Sequence, residues 1–162
     1  MKVEPGKEHQ WLQRAVGEWS FQGECCMGPD QPKSTMSGTE TTRSVGGLWI
    51  VQETSGECPM TKQPVTTIIT LGFDPAKSSF TGACIVSVMT HLWKYDSGEL
   101  DASGQKLTLN TEGPDFTTPG KMRRFRDIIE FKSDDLRLMR SEMLLDDGEW
   151  SEIMRAEYRR TK

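Results

Sequence analysis

The chain has 162 residues, 27% of them charged and 35% hydrophobic, a length that fits one domain spanning 1–162 and buries a core without disulfides or a structural metal. Its formal net charge of −4 argues against nucleic acid as a partner, because the phosphate backbone is met chiefly by clustered Lys and Arg. No segment approaches the roughly 18 consecutive apolar residues of a membrane helix and no basic-then-apolar leader opens the chain, so the expectation is a cytoplasmic protein without a membrane partner.

From Pro5 to Val16, the residues Trp11, Leu12, Ala15 and Val16 fall on one side at helical spacing. This predicts a short helix over one end of the fold, with Trp11 in the core. Period-two alternation then begins: Trp19, Phe21, Gly23, Cys25 and Met27 are apolar or small, while Ser20, Gln22 and Glu24 are polar. That is a strand with one buried face. Cys25, Cys26, Cys58 and Cys84 have no CxxC spacing, and an adjacent pair on a strand points to opposite faces. They read as reduced structural thiols, with no metal site. The loop from Gly28 to Met36 reads as a connector.

Beyond it, turn signals recur at strand-length intervals: Gly46-Gly47, Cys58-Pro59, Asp74-Pro75, Asp101 to Gly104, Gly113-Pro114, Lys132 to Asp135 and Asp146 to Gly148. No second helical pattern appears. Nine or ten strands joined by short hairpins predict an all-β fold, an antiparallel up-and-down barrel of about ten strands with a short N-terminal helix. Closure removes the exposed edges that such a meander would otherwise carry. The basic run Lys121 to Arg126 contains Met122 and Phe125 and reads as solvated or cross-paired strand charge.

Gly17 and Trp19; Gly38, Glu40, Arg43 and Trp49; Leu71 to Pro75; His91 to Trp93; Glu112 to Pro114; Arg126 and Asp127; and Ser141 to Met143 together resemble a bacterial family of unknown function with a lipocalin-like (calycin-type) barrel. The resemblance implies that fold and no established activity. It also implies that Trp19 closes one barrel end beneath a basic side chain from near the C-terminus, Arg159 or Arg160, a contact favoured by the ring quadrupole. Some ten-stranded barrels of this type bind haem through a histidine on a late strand. No histidine follows His91 here, so no cofactor is expected.

The sharpest site expectation comes from register. A four-residue loop at Lys132 to Asp135 sets Phe131 opposite Leu136, Asp127 opposite Arg140 and Phe125 opposite Glu142. A three-residue loop at Asp146 to Gly148 sets Leu144 opposite Trp150, Glu142 opposite Glu152 and Arg140 opposite Met154. The face holding Phe125, Ile129, Phe131, Leu136, Leu138, Leu144, Trp150, Met154 and Tyr158 is assigned inward, which brings Asp127, Arg140, Glu142 and Glu152 into the lumen with an Asp127 to Arg140 ion pair. Arg137 falls on the solvated face, opposite Glu130. A two-residue turn at Gly46-Gly47 pairs Glu40 with Glu53. His91 is placed near the barrel mouth.

The ligand-binding candidates are therefore Asp127, Arg140, Glu142, Trp150, Glu152, Tyr158 and His91, a polar anchor inside an apolar wall. The favoured function is binding of a small, partly apolar molecule in the lumen. The alternatives are an enzyme using lumen carboxylates or His91 for proton transfer, and a filled interaction barrel, with a homodimer as a possible assembly. Dinucleotide, P-loop, serine-hydrolase and zinc-protease motifs are all missing from the sequence.

Overall fold

A computed structural model describes residues 2–162. Helix α1 (Lys7–Gln13) precedes β1 (Gly17–Cys25), β2 (Ser34–Val45), β3 (Trp49–Glu57), β4 (Pro64–Asp74) and β5 (Ser79–Val86). The short segments β6 (Trp93–Tyr95) and β7 (Ser97–Leu100) follow, then β8 (Lys106–Pro114), β9 (Met122–Ser133), β10 (Leu136–Leu144) and β11 (Trp150–Arg160). All pairings are antiparallel neighbours in chain order, except that β11 returns to β1. Segments β6 and β7 are the two halves of one bent strand. The first half pairs with β5, Tyr95 opposite Gly82, and the second with β8, Ser97 opposite Asn110. Across the seam, Gly98 N donates to Ser79 Oγ at 3.0 Å and Thr111 Oγ1 to the Lys94 carbonyl at 2.7 Å. The eleven segments thus form about ten staves of a nearly closed barrel, as the strand and turn signals predict.

The helix lies over one end. Trp11 donates its indole N–H to the Gly104 carbonyl at 2.7 Å and meets the edges of Phe80 and Phe131, while Leu12 and Ala15 are buried beneath it. Below them Trp19, Ile50, Leu71 and Leu107 fill this end. The expected basic lid on Trp19 is Arg160, whose guanidinium stands 4.3 Å from the ring centroid. Arg160 also donates to the carbonyls of Val16 and Arg14, both at 2.7 Å, so one side chain ties the last strand to the helix exit.

Two hairpins differ from the expected register by one residue. The β2–β3 loop contains three residues, not two: Gly46 and Gly47 both adopt left-handed φ, 64° and 72°, and Leu48 N returns to the Val45 carbonyl. Glu40 consequently pairs with Thr54, and Glu53 with Thr41, so the Glu40 to Glu53 carboxylate pair does not form. At the β9–β10 hairpin the turn is tight, Ser133 opposite Leu136, and an irregularity beside it leaves Lys132 unpaired. Arg137 then faces Phe131, and Ser141 faces Asp127. Since side chains alternate with period two, this slip turns the whole of β10 over. Arg137, Met139, Ser141 and Met143 point inward; Leu136, Leu138, Arg140, Glu142 and Leu144 point outward. The β10–β11 loop keeps the expected pairs Leu144 with Trp150 and Glu142 with Glu152. A bulge next to them shifts the rest, so that Ser141, not Arg140, faces Met154.

Candidate functional site

The interior holds two polar groups of different character. The first is built on β2, β3 and β10 near the helix-capped end. Glu40 Oε1 accepts from Thr42 Oγ1 at 2.8 Å and Gln52 Nε2 at 3.4 Å, and its Oε2 accepts from Thr54 Oγ1 at 3.2 Å. Arg137 completes the set by donating its Nη2 to Glu40 Oε1. The guanidinium also lies 4.3 Å from the Trp19 ring centroid and 4.4 Å from that of Tyr158, which compensates a cation of which only 1% is exposed. Its Nη1 has no hydrogen-bond partner among the described residues.

The second group sits at mid-barrel on β6, β9 and β10. Tyr95 donates its hydroxyl to Asp127 Oδ2 at 2.6 Å, and Ser141 donates to Oδ1 at 2.5 Å. Burial pushes the Asp127 carboxyl above the ordinary carboxylate value, against the opposing pull of the two donors. Burial raises the neighbouring Tyr95 phenol as well, and the Asp127 charge adds to it. The Cys84 thiol is pushed up to about 12 by burial and then by Asp127. On β9 the inward neighbours of Asp127, Phe125 and Ile129, are sealed at 3% and 5% exposure. Asp127 itself keeps accessible surface, and so do the inward-pointing Thr54, Thr67, Met139, Ser141 and Met154.

Of the residues expected to share a site, Asp127 and Tyr158 point inward. The phenol of Tyr158 stacks on Phe21 at 5.1 Å between centroids. Arg140, Glu142, Trp150 and Glu152 are on the outer wall, a correction that follows from the register slip. There Glu142 accepts from Arg126 Nε at 2.5 Å and Arg140 Nη1 at 3.5 Å, Arg126 covers Trp150 at 4.1 Å, and Glu152 pairs with Arg155 at 2.9 Å. The expected Asp127 to Arg140 ion pair is replaced by the Tyr95 and Ser141 hydrogen bonds. His91 stands at the mouth with Nε2 3.0 Å from the Glu112 carbonyl and its ring against Trp93. Arg137, Tyr95 and Ser141 are interior polar residues that sequence reasoning did not place in a site, and Glu40, expected opposite Glu53, pairs with Arg137 instead. The legible signal was Arg137 amid alternating apolar residues on a strand, but its face depended on one residue in a turn.

Outside, a concavity of about 940 Å³ crosses β1, β2 and β11, lined by Gln22, Glu24, Thr35, Ser37, Arg155 and Glu157 among others. It is open to solvent and its charges are mixed, with no buried polar group aimed into it. By chemistry rather than size, the interior is the better site.

The family described as a protein of unknown function (DUF1579) matches residues 4–160. The chain belongs to this family. No curated protein sequence matches it. The fold is similar to that of the crystal structure of Rv2717c from M. tuberculosis, at TM-score 0.64 and 12% identity, covering 98% of this chain and 100% of that one. It is similar also to the S-type phycobiliprotein lyase CPES from Guillardia theta, at 0.63 and 13%, covering 96% and 93%. A third similar structure is EF1p2_mFAP2b bound to DFHBI, at 0.50 and 10%, covering 94% and 98%. At these identities the likeness is one of fold, and it extends over nearly the whole barrel.

Proposed function

We propose that this DUF1579 member binds a small, partly apolar molecule in the barrel interior. The observation that carries the reading is that Asp127, Ser141, Met139 and Met154 point inward at mid-barrel and are incompletely buried, between sealed apolar side chains such as Phe125 and Ile129. A few polar groups converging on an otherwise apolar, enclosed wall are the usual make-up of a small-molecule site. That barrels of this fold include one bound to DFHBI and a phycobiliprotein lyase is in keeping with it.

Native mass spectrometry of protein purified without denaturation, compared with the denatured mass, tests the reading. A specific co-purifying molecule is expected, and it is lost in Met139→Trp, where a bulkier indole stands in the interior. An empty protein whose unfolding temperature is raised by no member of a panel of apolar small molecules would overturn it.

A further inference from the structure

The two interior acids are treated very differently. Glu40 is matched by Arg137, which makes that group neutral as a whole. Asp127 has no cation. Among the described residues its hydrogen-bond donors are Tyr95 and Ser141, both neutral hydroxyls, and no ion pair includes it. The basic side chains that flank it in sequence or in the sheet are engaged elsewhere: Arg124 on Asp96, Arg126 and Arg140 on Glu142, and Arg137 on Glu40. A carboxylate enclosed in this way is costly unless a positive charge meets it.

Its geometry is that of a prepared acceptor. Each oxygen accepts one hydroxyl hydrogen bond, which fixes the plane of the group, and each carboxylate oxygen has capacity for one more donor. The residue points into the interior at mid-barrel and is incompletely buried, as are the inward-pointing Met139 and Met154. Thioether sulfurs and aromatic faces suit an apolar body that carries a cation, the former by polarisability and the latter by the ring quadrupole. A hard divalent ion is a poorer match, since it demands several oxygen ligands around it and only one carboxylate is present.

We infer that the interior takes a molecule bearing a protonated nitrogen on an apolar body, an amine or a protonated heterocycle, with that nitrogen seated against the Asp127 carboxylate. The inference rests on the interior-binding reading and adds the charge class of the ligand. Tyr95 and Ser141 act as positioning residues that hold the counter-ion in place. The ammonium supplies in the complex the positive charge that the fold withholds.

Three probes with one ring system separate the possibilities on the full chain at neutral pH by calorimetry: 1-naphthylmethylamine, 1-naphthalenemethanol and 1-naphthoate. The amine is expected to bind at least ten-fold more tightly than the alcohol. Asp127→Asn should bring the amine to the level of the alcohol and leave the alcohol within two-fold of its original affinity. Ser141→Lys, which supplies an ammonium beside Asp127 from the protein itself, should abolish the amine preference as well, so the test does not depend on one variant folding. Equal binding of amine and alcohol, or a preference that survives in both variants, would overturn the inference and leave interior binding intact. Tightest binding by the naphthoate would overturn it too, and would point to the free Nη1 of Arg137. Failure of all three to bind would remove the interior-binding reading and this inference with it.

Discussion

Asp127 shows how much a single buried charge controls. Because burial raises its folded-state pKa above the unfolded value of 3.8, the folded protein holds that proton to higher pH than the unfolded chain does. This group's contribution to stability is therefore greatest below that value and declines as pH rises through the folded pKa. Asp127→Asn keeps an oxygen acceptor and removes the titration. In the empty protein the variant should gain on the parent as pH rises from 4 to 8. Thermal unfolding across that range checks it, and a difference that is constant or shrinks would show that Asp127 is already compensated. The presence of Asp127 on an inward face was legible from alternation with Phe125, Ile129 and Phe131. Its partners were not, because Tyr95 comes from a strand 32 residues away and Ser141 from one whose register turned on Lys132.

At the scale of elements, the barrel mouth is organised by the loop after β8. Asp115 accepts from Thr117 N at 2.7 Å, Thr117 Oγ1 at 2.9 Å, Thr118 N at 3.1 Å and Arg123 Nε at 2.5 Å. Burial acts to raise its pKa, but these donors outweigh it and hold the carboxyl well below the usual range. Arg123 in turn reaches the Leu144 carbonyl and Asp146, and Lys121 reaches Asp146, so the β8–β9 and β10–β11 loops form one unit. Asp115→Ala should cost about 2 kcal/mol and speed amide exchange at Thr117 and Thr118 before the rest of the barrel. An exchange pattern that changes uniformly would count against a local tie. The turn itself was readable from Gly113-Pro114; the acid that anchors it was not, since its donors come from within the loop and, through Arg123, from β9.

For the whole molecule the decisive feature is the seam where the bent β6–β7 strand joins β5 to β8. Gly98 lies against Phe80 and Leu109, and a Cβ there would stand 2.8 Å from each. Gly98→Val should destabilise the barrel by about 2 kcal/mol through overpacking, and the parted edges of β5 and β8 should promote association. Chemical denaturation with light scattering measures both effects; a monodisperse variant of parental stability would mean that closure does not depend on this seam.

Alternation, helical spacing and turn chemistry, properties of neighbouring residues, determined by themselves an antiparallel barrel of about ten staves and a helix over one end; Trp19 beneath a late arginine followed from the family resemblance. Which charged residues entered the interior was decided only in the tertiary structure. Gly46-Gly47-Leu48 and Lys132 each add one residue to a hairpin, and with a period of two a single residue exchanges the faces of a strand. Arg137 and Glu40 went inside and Arg140 and Glu142 outside because each strand settles on the register that its neighbours and the enclosed space allow, a constraint set by residues far away in the chain.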